Sequence, residues 1–226
     1  AASKWPTAWV LPVIFIAMVL FGKKPRQKIF WFFFITPFVY VASYIPFFIS
    51  GHDLTQFIEL HRQMFLYHKN LTATHDFGSP WWTWPFMIRP VWFFVEHPGR
   101  AEGLISNIYA LGNPFISWLG LIALANCLWV GLKNRASQLI FVVTAWALLF
   151  LPWAVSPRVM FLYHYLPAIP FLSIVLGWWL SWQDKRVITT CFVLLVTCYL
   201  FFYPHWTGIF IPQWLDNIYY WLPSWR

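Results

Sequence analysis

Six long apolar runs, separated by short polar gaps, constrain this chain of 226 residues more than any other feature; they cover 5–21, 29–49, 114–132, 139–155, 165–182 and 187–203. A helix crosses the bilayer core with about 17 to 25 mostly apolar residues. The runs are continuous rather than alternating, so they predict helices and not barrel strands. Pro6 and Pro12 interrupt the first of them. Apolar residues make up 60% of the chain and charged residues 10%, which a soluble fold of this size has no interior to accommodate. The expected fold class is all-α, a polytopic transmembrane helical bundle of about six spans.

The 15 Lys and Arg against 7 Asp and Glu give a net charge of +8, a balance that raises the question of nucleic acid. Placement answers it, because Lys23, Lys24, Arg26, Lys28, Lys133, Arg135, Lys185 and Arg186 all fall in three gaps between apolar runs. That is the pattern of cytoplasmic loops, and no basic stripe remains for a polynucleotide. With those gaps inside, the two chain ends, the segment 51–113 and the turn 156–164 lie outside, and Asp184 is the single acid inside. The domains expected are two spans in 1–50, an extracytoplasmic loop over 51–113, four spans in 114–203 and an extracytoplasmic tail over 204–226. Localisation in a membrane follows. The chain starts Ala1-Ala2-Ser3 with no charged region and cleavage site, which leads us to expect further chain upstream. Cys127, Cys191 and Cys198 lie inside apolar runs and read as small buried hydrophobes.

The segment 51–113 is long for a passive connector, and its Trp, Phe and Pro content argues against disorder. Leu54, Phe57, Ile58, Met64 and Phe65 share one helical face opposite Thr55, Gln56, Glu59 and Gln63, which predicts an amphipathic helix on the membrane surface. His61 and His68 fall on its apolar side; they either hydrogen-bond at a protein or headgroup contact or face a substrate cavity. Beyond it, Ser79-Pro80-Trp81-Trp82-Thr83-Trp84-Pro85 and Arg89-Pro90-Val91-Trp92 offer flat indole faces to a sugar or a prenyl chain, or form an interfacial aromatic belt.

In order along the chain stand His61-Arg62-Gln63-Met64, Tyr67-His68, Leu71-Thr72-Ala73-Thr74-His75, the two tryptophan-proline strings, Gly112-Asn113-Pro114, and Arg158 through Ala168 with Tyr163-His164-Tyr165-Leu166-Pro167 at its centre. This series resembles the C-terminal membrane region of the protein O-mannosyltransferases, a family of polyprenyl-phosphate-dependent C-type glycosyltransferases. The resemblance runs from about Phe57 to the end, and Tyr163-His164-Tyr165-Leu166-Pro167 is its most specific piece. It implies transfer of a mannosyl or related group from a polyprenyl phosphate sugar to Ser or Thr of an exported protein, with inversion at the anomeric carbon. The 51–113 segment carries no β-trefoil-like insert, which makes the chain look like a prokaryotic member. The family's acidic catalytic motif belongs to an N-terminal membrane half that this sequence does not contain, so the base is expected from that half or from a partner subunit.

Such a transfer needs a base for the acceptor hydroxyl and a cationic, hydrogen-bonding cradle for the departing phosphate. Arg158 stands ahead of a span with Tyr163, His164 and Tyr165 close behind, and a guanidinium grips phosphate oxygens in a fork. The plainer reading makes Arg158 a headgroup anchor and the tyrosines part of an interfacial belt. His164 either protonates the phosphate or only hydrogen-bonds it. With the resemblance beside them, His75 is placed in the acceptor or sugar pocket near Arg89, held in shape by Trp82 and Trp84. Asp76 reads as a solvated loop acid, and Asp53, Glu59, Glu96, Glu102 and Asp216 as surface charges without partners.

No metal-ligand spacing appears among the seven histidines, and neither metal nor cofactor is expected beyond the lipid-linked sugar donor. Asn70-Leu71-Thr72 fits a glycosylation acceptor and carries no weight in a prokaryote. Asn126 and Thr189-Thr190, inside spans, suit helix-to-helix hydrogen bonds, and the absence of charges within the spans argues against a transporter. The competing reading is a non-catalytic membrane subunit on the same scaffold that binds lipid or a partner protein.

Overall fold

The computed structural model describes residues 8–97 and 103–226; the chain start with Trp5 and Pro6, and Glu102, lie outside the described residues. Two compact units meet in sequence between Ala73 and Thr74. The stretch 51–113, expected as one loop, is therefore shared between them.

The first unit holds α1 (Val10–Phe21), α2 (Pro25–Ala42), α3 (Ile45–Ile49) and α4 (Leu54–Asn70). The run 29–49 does not form one helix. Pro46 lies in the first turn of α3, where it has no amide to offer the carbonyl one turn back, and the chain kinks through Ser43 and Tyr44. Asp53 opens α4 with a capping box: its Oδ1 accepts from the Gln56 amide at 2.8 Å, and Gln56 Oε1 accepts from the Asp53 amide at 2.9 Å. Asp53 is thus exposed, as expected, but it has a partner arrangement that satisfies the first amides of the helix. Glu59 is half-exposed, with Arg62 at 3.1 Å. Along α4, Phe57 and His61 turn toward Tyr44, while Leu54, Ile58 and Phe65 stay exposed.

The second unit is built on α5 (Pro114–Asn134), α6 (Ser137–Phe150), α7 (Ile169–Leu180) and α8 (Lys185–Thr207). Asn113 starts α5 by accepting from the Phe115 and Ile116 amides at 3.0 and 3.4 Å, with Pro114 at the first helical position, so the Gly-Asn-Pro string is a helix start. Ser117, Gly120, Ala123, Cys127 and Gly131 are the buried small residues of α5. A Cβ on Gly120 would stand 3.2 Å from Leu172 Cβ of α7, and one on Gly131 3.2 Å from Leu139 Cβ of α6. This seam lets backbones approach where hydrocarbon gives helices no hydrophobic reason to associate. Cys127 is buried; Cys191 and Cys198 are only half-buried.

Among the described residues, three helical stretches are long and apolar enough to cross a membrane: Pro114–Asn134, Ser137–Val155 and Lys185–Thr207. The run 165–182 is shorter as an α-helix, because Leu162–Ala168 winds as a 3-10 helix around Pro167 before α7 begins. Asp184 caps α8 by accepting from the Arg186 and Val187 amides at 2.8 and 3.0 Å.

The all-α expectation needs a correction. A three-stranded antiparallel sheet joins β1 (Val91–Glu96), β2 (Leu104–Ala110) and β3 (Ile211–Pro212), with β2 in the middle. Val91 pairs Ala110 and Glu96 pairs Ser106, with a register shift between Trp92 and Phe94; Ile105 pairs Ile211. β1 reads Val-Trp-Phe-Phe-Val, β-branched and aromatic residues that favour strands without the polar alternation that would have announced one.

Candidate functional site

A loop docking against the turn before α7 builds the site. The Ser79 amide donates to the Met160 carbonyl at 2.9 Å. Gly78 lies so close that a Cβ there would stand 3.0 Å from both the His75 carbonyl oxygen and Val159 Cγ2. The docking sets the His75 ring edge-on to Phe161 at 5.1 Å, and His75 Nδ1 accepts from the Phe77 amide at 3.1 Å. His75 is exposed, as is Asp76 beside it.

Phe161, Tyr163 and His164 form an aromatic stack that continues from His75. Tyr163 lies 14° from the Phe161 plane and 24° from the His164 plane. His164 is only 5% exposed. Its ring stacks on Trp84 at 5.9 Å and meets Trp153 edge-on at 4.3 Å, while Nδ1 lies 2.9 Å from the Phe161 carbonyl oxygen. The imidazole is thus oriented by its own turn. Tyr163 remains half-buried; burial pushes its phenol up, and the positive charge of Arg158 draws it part of the way back, which places that guanidinium within electrostatic reach of the stack.

The two indoles expected to shape the pocket divide. Trp84 is fully buried, with Nε1 donating to Ser79 Oγ at 3.0 Å; it backs His164 and offers no free face to a sugar. Trp82 is 58% exposed. Tyr165 is also a core residue, its hydroxyl accepting from Trp146 Nε1 at 2.9 Å. Three of the strings that carry the resemblance converge on one small apolar cavity of about 80 Å³, lined by Trp84, Met87, Gly112, Leu162, Tyr163 and Tyr165 among others.

Arg89 is a fastener. Its Nε and Nη2 donate to the Asp76 carbonyl at 3.3 and 3.1 Å, and its Nη1 to the carbonyls of Ser224 and Arg226 at 3.0 and 3.3 Å, so it ties the His75 loop to the chain end. Ser224 Oγ donates to the Ile88 carbonyl and Trp225 Nε1 to the Met87 carbonyl at 2.6 Å. His61 and His68 belong to the first unit. His61 Nε2 meets Tyr40 OH at 2.6 Å and Nδ1 the Phe57 carbonyl at 2.8 Å, the protein-contact alternative of the two; His68 is exposed beside Tyr67.

Asp216 is where residue type misled. Expected as a surface charge, it is 5% exposed and surrounded by donors. Its Oδ1 accepts from Asn107 Nδ2 at 2.7 Å and from His205 Nε2 at 2.8 Å, and its Oδ2 from Tyr220 OH at 2.9 Å. Trp92 Nε1 donates to Asn107 Oδ1 at 3.0 Å, and Tyr109 OH meets Tyr220 OH at 3.2 Å. Burial alone would raise the carboxyl, but the bonds from His205, Asn107 and Tyr220 outweigh it and hold Asp216 below the usual range. Burial, the Tyr109 phenol and the carboxylate push Tyr220 far up, so it stays a donor. Among the described residues no three His, Cys, Asp or Glu side chains converge as a metal set would.

Fold and motifs together define a helical membrane protein with a histidine-containing aromatic site at one end of its second unit. Residues 53–225 match the model of the C-terminal four TMM region of protein-O-mannosyltransferase, and the chain belongs to that family. It is 28% identical over 237 residues to the polyprenol-phosphate-mannose–protein mannosyltransferase of Mycolicibacterium smegmatis, covering 85% of this chain and 46% of that protein. The Candida albicans dolichyl-phosphate-mannose–protein mannosyltransferase 5 is 28% identical over 203 residues, 76% of this chain and 28% of its own. The chain therefore spans less than half the length of these relatives. The solved Saccharomyces cerevisiae protein O-mannosyltransferase Pmt1-Pmt2 complex bound to the sugar donor shares the fold, with a TM-score of 0.62 at 23% identity over 78% of this chain and 27% of that one.

Proposed function

We propose that this chain is the donor- and acceptor-binding C-terminal part of an enzyme that moves a mannosyl group from a polyprenyl phosphate to Ser or Thr of exported proteins. The observation that carries it is the convergence of the His75 loop, the Trp84 string and the Tyr163-His164 turn at one end of α5 and α7. In the transfer, the acceptor oxygen forms the bond to the anomeric carbon while the carbon–oxygen bond to phosphate breaks. The phosphate leaves with that electron pair, and the acceptor proton goes to a base contributed from outside this chain. Arg158, with the Tyr163 hydroxyl, neutralises the departing phosphate. His75, exposed beside Phe161, faces the acceptor or the sugar. His164 keeps the stack aligned and offers its second nitrogen to the phosphate. Trp82 supplies an open indole face. Arg89, Trp84 and Tyr165 shape the pocket from behind.

In this reading six segments cross the plasma membrane, both chain ends and the site lie outside, and α4 rests its exposed Leu54, Ile58 and Phe65 on the lipid surface. The pairing of Ile105 with Ile211 supports an even number of crossings between them, so the run 165–182 crosses along with α5, α6 and α8. Polyprenyl phosphate mannose and exported proteins are the partners. The test uses the complete polypeptide in membranes with a radiolabelled polyprenyl phosphate mannose and a Ser/Thr acceptor peptide. Arg158→Ala should abolish transfer and donor binding together; full turnover in that variant overturns the reading.

A further inference from the structure

Asp216 stands apart from the aromatic stack, yet both of its oxygens lead to one residue at the border of the site, Trp92. From Oδ1 the path runs through Asn107, whose Nδ2 donates to the carboxylate at 2.7 Å while its Oδ1 accepts from Trp92 Nε1 at 3.0 Å. From Oδ2 it runs through the Tyr220 hydroxyl at 2.9 Å to the Tyr109 hydroxyl at 3.2 Å. The Tyr109 ring lies parallel to the Trp92 indole, 2° apart in plane and 5.8 Å between centroids. A carboxylate only accepts, so it dictates the direction of every bond around it. The Asn107 amide has to turn its nitrogen inward and its oxygen toward the indole, and Tyr220 has to point its proton at Asp216 and accept from Tyr109. A carboxylic acid or an amide at 216 could also donate, and both arms would then have a second arrangement.

Trp92 in turn borders the loop that carries His75. Its indole meets the Phe77 ring edge-on, at 87° and 6.4 Å, and the Arg89 guanidinium carbon stands 5.3 Å from the centre of the same ring. The Phe77 amide donates to His75 Nδ1 at 3.1 Å, so the place of Phe77 sets that of the imidazole. Trp92 is 37% exposed; packing alone leaves it room to change rotamer, and the two arms remove that freedom. We propose that Asp216 is a positioning residue for the transfer site: its two oxygens lock the Trp92 indole, which holds Phe77 and with it the His75 ring. Replacing a buried ion pair by apolar packing often costs a fold nothing, whereas only an acceptor of fixed polarity gives this indole a single orientation. The part His75 takes in transfer rests on the reading above, while the locking of its loop does not.

The test follows hydrogen–deuterium exchange over 77–79 in the complete polypeptide in lipid nanodiscs, where the amides of Phe77, Gly78 and Ser79 are all bonded. Trp92→Phe keeps a ring over Tyr109 and loses only the N–H; exchange over 77–79 should quicken about fivefold, the equivalent of one hydrogen bond. Asp216→Asn should quicken it at least as much, and joining it to Trp92→Phe should add little. Where Asp216→Asn does not fold, Asn107→Leu, which leaves the carboxylate its bonds from His205 and Tyr220, takes its place in the cycle. In mannosyl transfer, Trp92→Phe should raise the KM of one substrate alone, acceptor peptide or polyprenyl phosphate mannose, about fivefold with kcat held. A purely structural contribution would lower kcat with the folded fraction and leave both KM values where they were. Unaltered exchange in both variants, fully additive effects, or KM values that stay unchanged or rise together would each overturn the proposal. A wild type that transfers no mannose removes the transferase reading, and the exchange cycle still decides the locking.

Discussion

His205, in the last turn of α8, and Asp216, eleven residues further on, face each other across 2.8 Å with both side chains buried. The turn between them is fixed at Gly208, which takes a left-handed conformation (φ 69°) and accepts from Ser106 Oγ at 2.7 Å. One carboxylate thereby gathers α8, β2 and the tail.

Asp216→Asn should cost about 3 kcal/mol, because an amide leaves at least one of the three donors without an acceptor. Since the folded carboxyl lies below its ordinary value of 3.8, its stabilisation is complete above that value and is lost as the pH falls through the lowered one. Thermal unfolding of the purified protein across acidic pH should show the wild type losing stability below about pH 4 more steeply than the variant.

Tyr165→Phe separates packing from binding. It removes the acceptor of Trp146 Nε1 and should lower stability by about 1 kcal/mol while leaving the KM for donor unchanged. Tyr163→Phe should do the reverse, weakening transfer with no shift in Tm. Donor-dependent kinetics beside melting curves check both.

Gly78→Ala pushes a methyl against the His75 carbonyl oxygen and Val159 Cγ2. The loop has to retreat from the turn before α7, at a cost of about 1–3 kcal/mol. Transfer should fall further than the melting temperature suggests, because His75 moves away from Phe161. An unaltered rate would show that the docking is not needed for turnover.

Trp225→Ala should destabilise by about 3–5 kcal/mol, since the ring is 2% exposed and its Nε1 holds the Met87 carbonyl. Arg89→Ala releases the same tail from the other side. The two losses should be less than additive in a double-mutant cycle, being spent on one attachment.

Membrane character and family were legible because they rest on long runs and ordered strings. The aromatic site was legible as a set of positions but not as roles: Trp84, Tyr165 and Arg89 have the residue types of ligand-binding groups, and only coordinates reveal that their polar atoms are already engaged by Ser79, Trp146 and backbone carbonyls. Asp216 was missed because its partners come from 107, 205 and 220, and no spacing rule links such positions. The available signal was a lone acid in a tail dense with Trp and Tyr, where a charge without partners would be costly. The strands were missed because β1 is apolar from Val91 to Val95, so period two leaves no trace in it.

The pairing of Ile105 with Ile211 closes a ring of more than a hundred residues around four intervening helices. In the six-span reading proposed above, a helix among these that enters the bilayer the wrong way or fails to enter leaves the two strands on opposite leaflets, unable to meet. The small sheet therefore forms only when everything between its strands is threaded correctly, and a misthreaded polypeptide leaves strand edges and the Asp216 carboxylate without their partners.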